Sequence, residues 1–169
     1  MSYLLVAKKQ KNKAKTASIS RGTVIFIAVV VAAASAGIYY FISTSTPVNM
    51  DHPVFATPSN IYIVGVHDPT QGYVYEQEST RQAKKAVSGG IADASIHIPK
   101  GTLVSLHFIN EDKDTLSTMD LNIDEFNVHT NKLNYFQAQT INFMADKEGT
   151  YSYYSNLHPE MKGTITVDP

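Results

Sequence analysis

The chain has 169 residues, of which 43% are hydrophobic and 17% charged, with no cysteine and a formal net charge of -1. The lack of cysteine excludes a disulfide framework, zinc-thiolate and iron-sulfur sites, and every copper site that needs a thiolate. Six of the 14 basic residues fall in the first 21 positions, which contain no acid, so residues 22–169 carry eight basic and 15 acidic groups. Because no basic stripe falls on that acidic remainder, we expect no nucleic-acid partner.

An apolar segment follows the basic head, residues 1–21. Residues 22–43 are apolar or small, and no charged residue occurs between Arg21 and Asp51. A helix rises about 1.5 Å per residue, so this segment is long enough to cross a hydrocarbon core of about 30 Å. The sequence therefore predicts a single-pass transmembrane helix in the lipid of the cell membrane. The positive-inside rule places the N-terminus in the cytoplasm and the C-terminal domain on the extracytoplasmic side.

A cleaved signal peptide is the alternative interpretation of this segment. The small residues at positions 32–37 offer a cleavage site, but the apolar run is longer than the roughly 7 to 15 residues of the apolar region in a typical signal peptide. We favour the uncleaved anchor. Under both interpretations the rest of the chain is exported.

The stretch after the apolar segment, residues 44–60, is rich in Ser, Thr and Pro. This composition is typical of an extended linker, so it predicts a short tether. The exported domain should then comprise residues 61–169.

That domain consists of short apolar runs, mostly with a period of two, separated by turn residues. Such a pattern predicts an all-β protein, an antiparallel sandwich or Greek-key barrel, preceded here by the one N-terminal helix. A further stretch, Thr80–Val87, is predicted to form one or two turns of helix. The predicted strands are Ile61–Val66, Tyr73–Gln77, Ala94–Ile98, Leu103–Ile109, Asp120–Ile123, Phe126–Val128, Gln137–Met144, Gly149–Tyr154 and Gly163–Val167.

Six acidic residues crowd into 15 positions of this domain: Glu111, Asp112, Asp114, Asp120, Asp124 and Glu125. Charge runs of this kind usually form a solvated face, which is the interpretation we favour. A docking surface for a basic partner is the alternative.

The most specific segment is Ala145–Val167, ADKEGTYSYYSNLHPEMKGTITV. It resembles the last two strands and the connecting loop of cupredoxins, including the copper-bearing domain of haem-copper oxidase subunit II. Ile98–Val104, IPKGTLV, is similar to another strand of that family. The resemblance covers residues 61–169 and implies a cupredoxin-like Greek-key β-sandwich.

The resemblance also locates where the family binds copper. Single-copper members with this short loop have the pattern C-x-x-H-x-x-M, and the matching residues here are Ser155, His158 and Met161. The upstream histidine position is occupied by Met119. A neutral serine cannot supply the soft, charge-donating ligand of a blue or binuclear copper centre, so we expect no such metal in this chain.

Two interpretations of this degenerate site remain. In one, His158, Met161 and Met119 bind Cu(I), which thioethers and imidazole suit. In the other, the methionines fill the core and the histidine packs at the rim of the sheet. We favour the second, because metal sites weaken steeply when ligands are lost.

Subunit II proteins that accept electrons from cytochrome c carry the binuclear copper, whereas those of quinol oxidases lack its ligands. The sequence most resembles the copper-lacking subunit II of archaeal quinol oxidases. This resemblance implies a non-redox subunit of a respiratory electron-transport complex, without catalytic residues or cofactors of its own. Its partners would be the many-span catalytic subunit I, which holds the haem and copper, and the other subunits. The alternative function is a membrane-anchored cupredoxin-like module that binds copper or serves another membrane complex.

Overall fold

The computed structural model describes residues 20–78 and 95–169. The basic head up to residue 19 and the predicted helical stretch Thr80–Val87 lie outside these ranges. The chain divides into two compact units, residues 1–40 and 41–169.

The helix α1 begins at Arg21 in the first unit and ends at Ser45, so its last residues belong to the second unit. Ser20 caps its N-terminus, since the Ser20 hydroxyl oxygen accepts the backbone N–H of Thr23 at 3.1 Å. The helix is long and apolar enough to cross a membrane, and a signal sequence near an N-terminus would fit the same description. Its bounds exceed the predicted residues 22–43 by one residue at the start and two at the end.

The second unit is a sandwich of two sheets. The first sheet has the strand order β2-β1-β4-β7 and the second β3-β9-β8-β5-β6. The strands are β1 Ser59–Asp68, β2 Gly72–Glu78, β3 Ser95–Pro99, β4 Thr102–Asn110, β5 Asn122–Ile123, β6 Val128–His129, β7 Ala138–Ala145, β8 Gly149–Tyr154 and β9 Lys162–Asp168. The predicted all-β sandwich behind one apolar N-terminal helix is confirmed.

Two features of the sheets differ from the sequence prediction. The pairs β1–β4 and β3–β9 are parallel, because the chain crosses between the sheets before it returns beside the earlier strand. Phe126 was predicted in a strand but ends a short 3-10 helix, Asp124–Phe126, which is followed by Asn127 in the left-handed conformation with φ of 53°. An asparagine tolerates this conformation, and it turns the chain into β6.

The core lies between the sheets and is built by alternate residues of the strands. In β4, Val104, Leu106 and Phe108 are almost completely buried. Phe143 of β7 stacks on Phe126 with ring centroids 5.0 Å apart, so the 3-10 helix is anchored by an aromatic contact.

The segment before β1 is bound to the sandwich rather than simply extended from it. The Val48 N–H donates to the carbonyl of Asn142 in β7 at 2.8 Å. The Asn49 amide bonds both the N–H and the carbonyl of Met144, each at 2.8 Å. Residues 48 and 49 thus cover part of the edge of β7, which would otherwise expose unpaired backbone groups.

We predict that Asn49→Ala lowers the free energy of unfolding by about 1–2 kcal/mol, since two hydrogen bonds to the backbone of Met144 are lost. Urea unfolding of the full-length protein in detergent measures this. Asn131→Ala, at an exposed asparagine, is the matched control and should change stability little. Equal effects of the two substitutions would contradict a bound tether.

Candidate functional site

The four positions that correspond to copper ligands lie together at one end of the sandwich. Ser155, His158 and Met161 belong to the connection between β8 and β9, called here the 155–161 loop, and Met119 precedes β5. The Ser155 N–H donates to the Met161 carbonyl at 3.1 Å, which closes the loop on itself. The two methionines are completely buried, and Ser155 is 3% exposed.

The methionines converge above Gly65 of β1. A Cβ atom at Gly65 would lie 2.5 Å from Met119 Sδ and 3.3 Å from Met161 Cε, so only glycine leaves room for both side chains. A lone glycine within an apolar strand is the signal in the sequence that could have identified this close approach.

The Ser155 hydroxyl is fully engaged in hydrogen bonds. It donates to Asp120 Oδ1 at 2.6 Å and accepts the backbone N–H groups of Leu157 at 3.1 Å and His158 at 3.0 Å. The side chain at the thiolate position therefore serves the shape of the loop.

Asp120 accepts most of the hydrogen bonds at this site, although its place in an acidic run predicts a solvated residue. The residue is 5% exposed, and its carboxylate accepts, besides the serine hydroxyl, the Asn122 side-chain amide at 3.1 Å. The backbone N–H groups of Asn156 and Leu157 also donate to it, at 3.1 and 3.3 Å. Burial opposes ionisation of this carboxyl, but the hydrogen bonds outweigh burial and hold its pKa below the usual range.

A tyrosine from the opposite sheet also forms a hydrogen bond with Asp120. Tyr75 of β2 is 2% exposed, and its hydroxyl donates to the backbone carbonyl of Asp120 at 2.5 Å. Burial, followed by the nearby negative charge of Asp120, raises the pKa of this phenol. Tyr75 thus stays a neutral donor and links the two sheets at the candidate site.

His158 is held at the rim of the site. Its ring lies against Tyr73 with centroids 3.8 Å apart, and its Nε2 is 3.1 Å from the Thr118 carbonyl. Because a carbonyl only accepts, Nε2 must carry the hydrogen. The other ring nitrogen, Nδ1, is 3.9 Å from the Glu160 carboxylate.

The residues present do not fit the copper centre that the fold family implies. Ser155 offers no thiolate and its hydroxyl is already bonded, Met119 replaces an imidazole, and one nitrogen of His158 is committed to a carbonyl. Within residues 20–78 and 95–169, no group of three or more histidines or carboxylates is placed to hold a metal ion.

The six acidic residues of the predicted solvated face differ in exposure and in their contacts. Asp112 and Asp120 are buried, which contradicts a wholly solvated face. Asp124 accepts the Tyr154 hydroxyl at 2.9 Å, and Glu125 pairs with the Lys147 ammonium at 2.7 Å. Neighbours in sequence here serve separate local contacts, and Asp114, Asp124 and Glu125 are the members of the run that are exposed.

Asp112 has a role in the loop that leads to Met119. Its carboxylate accepts the N–H groups of Asp114, Thr115 and Ser117 as well as the Thr115 hydroxyl. Burial raises the pKa of Asp112, but these hydrogen bonds more than offset it and the pKa lies below the ordinary 3.8. The ionised carboxylate is therefore favoured in the folded protein.

We predict that Gly65→Ala destabilises the protein by about 1–3 kcal/mol, because the added methyl group overlaps Met119 Sδ. Adding Met119→Ala to this variant should cost less than Met119→Ala costs in the wild type, since it removes the overlap. Urea unfolding of the two single variants and the double variant measures this coupling. Strictly additive effects would contradict the close approach.

We predict that Asp112→Asn costs about 1–3 kcal/mol at pH 7 and progressively less as the pH falls below 3.8. The native pKa is depressed, so the carboxylate stabilises the fold fully above the unfolded value near 3.8 and loses this effect as the pH falls through the native pKa. Unfolding curves at a series of pH values measure the difference. Asp146→Asn, at an exposed acid, is the control. A penalty for Asp112→Asn that does not depend on pH would contradict the assignment.

Comparison with known proteins agrees with this architecture. Residues 64–167 match the family model of the cupredoxin-like domain. No curated protein matches the chain. Because the family model covers more than half of the sequence, the match defines the family of the chain.

The chain is also similar to several solved structures at low identity. Auracyanin B is 19% identical, with a TM-score of 0.45, over 69% of this chain and 94% of its own. Auracyanin from Roseiflexus castenholzii is 19% identical, with a TM-score of 0.44, over 67% and 100%. A haem-copper terminal oxidase chain is 12% identical, with a TM-score of 0.46, over 87% and 98%. The matched segment includes both sheets and the 155–161 loop, and the chain belongs to the family of cupredoxin-like domains.

Proposed function

We propose that this chain is the non-redox subunit II of a membrane-bound haem-copper terminal oxidase that oxidises quinol and reduces oxygen. The observation that carries the proposal is the hydrogen-bonded Ser155 at the thiolate position of a cupredoxin-like domain. A copper centre that accepts electrons from a soluble donor protein needs that thiolate. Quinol, dissolved in the membrane, delivers electrons without such a centre.

In this proposal the chemistry takes place in the many-span catalytic subunit I, which holds the haem and copper. The segment from Gly22 to Ser43 contains no histidine or carboxylate to ligate a haem. The helix α1 then serves as the single-pass anchor, with its basic N-terminal head in the cytoplasm. The sandwich would cover the extracytoplasmic face of subunit I and stabilise the assembly.

One observation favours a second candidate, a membrane-anchored module that binds copper or serves another complex. Met119 Sδ and Met161 Cε both lie close to Gly65, and His158 belongs to the same loop as Met161. Two thioethers and an imidazole form a soft ligand set that suits Cu(I). The proposal of a non-redox subunit requires that these three side chains bind no metal and serve only to pack the site.

Purification through an affinity tag on the full-length chain, from the membranes of its own cells, tests the first proposal. We expect a haem-bearing many-span protein to copurify, with a haem spectrum and quinol-dependent oxygen uptake. A chain recovered alone and free of haem would contradict it. Oxygen uptake with reduced cytochrome c but not with quinol would contradict the assignment of the electron donor.

Titration of the full-length chain with Cu(I), in competition with a chromophoric chelator, separates the two candidates. We expect no stoichiometric binding, because the methionines are packed in the core and Nε2 of His158 is bonded to Thr118. Stoichiometric binding that His158→Ala abolishes and His129→Ala preserves would establish the copper-binding module instead. His129 is the control because its side chain is 50% exposed and lies in β6.

A further inference from the structure

The segment that follows α1 folds back onto the end of the helix. The backbone returns at Val54, whose N–H donates to the carbonyl of Ser45 at 3.0 Å. Ser45 is the last residue of α1, and the last four carbonyls of a helix have no partner within it. Residues 46–53 therefore form a closed loop, called here the 46–53 loop, whose two ends meet at the C-terminus of the helix.

Side-chain hydroxyl groups bond further carbonyls in the last turn of α1. The Thr44 hydroxyl donates to the Phe41 carbonyl at 3.1 Å, and the Thr46 hydroxyl donates to the Ile42 carbonyl at 2.8 Å. A backbone carbonyl without a hydrogen bond is costly wherever water is scarce. The end of the helix is thus suited to surroundings that contain little water.

The returning chain places an exposed phenylalanine beside the last turn of α1. Phe55 stacks on Phe41, with ring centroids 5.8 Å apart and the ring planes 9° from parallel. Phe55 is nevertheless 70% exposed and Phe41 58% exposed. Both residues belong to the second unit. The two large rings together form an apolar patch on the surface of that unit.

The sequence around Phe41 indicates what covers this patch. Phe41 lies at the C-terminal end of the apolar run, and no charged residue occurs between Arg21 and Asp51. When α1 crosses a membrane, Phe41 lies at the boundary between hydrocarbon and headgroups, a layer in which phenylalanine side chains of amphipathic segments are buried. Phe55 then lies at the same depth, because its ring is stacked on that of Phe41.

Two polar residues of the 46–53 loop limit how deep this patch can lie. The side chain of Asp51 is 99% exposed, and its carboxylate is 2.8 Å from Nδ1 of His52, whose side chain is 62% exposed. A carboxylate is costly in hydrocarbon, so Asp51 must remain among the headgroups or in water. An apolar ring a few residues from an exposed carboxylate suits the interfacial layer of a bilayer and not its centre.

We propose that Phe55 is a second membrane contact of this chain, and that lipid of the interfacial layer covers it together with Phe41. The segment before β1 is bound to β7 through Asn49 and to the end of α1 through Val54. It therefore holds the sandwich beside the bilayer, whereas a free linker would let the sandwich move away from it. The proposal rests on the proposed membrane anchor and is independent of the proposed oxidase role.

Fluorescence of a single introduced tryptophan tests the proposal, because the chain contains no other tryptophan. The full-length variant Phe55→Trp is reconstituted in phosphatidylcholine vesicles. We expect lipid brominated in the upper acyl chain to remove about half of its fluorescence or more, since this ring lies in the interfacial layer. Acrylamide, a quencher dissolved in the water, should have little effect.

Phe136→Trp is the matched control, at a phenylalanine that is 75% exposed. The Phe136 N–H donates to the carbonyl of Asn110, at the end of β4 opposite to the one where Ser59 begins β1. Phe136 is thus far from Phe55 along the sheet. Its tryptophan should be quenched by acrylamide and not by brominated lipid. Equal quenching by brominated lipid at positions 55 and 136 would overturn a specific contact at Phe55.

Phe41→Trp reports on the anchor itself and so separates the two proposals. Quenching by brominated lipid at position 41 but not at position 55 would overturn the second contact and leave the anchor intact. Quenching at neither position would overturn both. Protection of Phe55→Trp from acrylamide without quenching by brominated lipid would show that protein, such as a second copy of the chain, covers this position, which also overturns the proposal. None of these results depends on haem or quinol.

Discussion

The hydrogen bond between the Ser155 hydroxyl and the Asp120 carboxylate is the contact on which the candidate site depends. Removing a carboxylate from water costs several kcal/mol unless its oxygens are bonded elsewhere. Here the donors are the serine hydroxyl, the Asn122 amide and two backbone N–H groups of the loop. The hydrogen bonds that stabilise the buried charge therefore also fix the conformation of the loop. The remaining positions follow from it, because a loop fixed at Ser155 places His158 against Tyr73 and Met161 above Gly65.

Residues 64–167, which include most of both sheets and the 155–161 loop, match the cupredoxin-like family. The candidate site contains a hydrogen-bonded serine at the thiolate position and two packed methionines. These residues favour the proposal of an assembly role within a larger complex.

Much of the fold could be predicted from local patterns. The alternation in β4 and the apolar runs of β1, β7 and β9 each predicted a strand close to its observed bounds. Phe126 was misassigned because a short apolar run does not distinguish a strand from a 3-10 turn that buries the same ring. The binding of Asn49 to β7 joins residues 95 positions apart, and nothing in a Ser- and Pro-rich segment indicates such a contact.

The candidate site shows the same division. Alignment to a family pattern identified Ser155, His158, Met161 and Met119, because ligand spacing is a local property of the sequence. It did not identify Asp120, whose partners in the 155–161 loop lie 35 to 37 positions away and whose charge suggested a solvated residue.

Metal analysis and visible spectroscopy of the full-length chain, expressed in copper-replete cells and purified in detergent without chelators, test the central claim most directly. If Ser155, Met119 and Met161 serve loop shape and core packing, the protein should contain far less than one copper per chain and show no copper-thiolate or copper-imidazole absorption. One tightly held copper per chain would contradict the account.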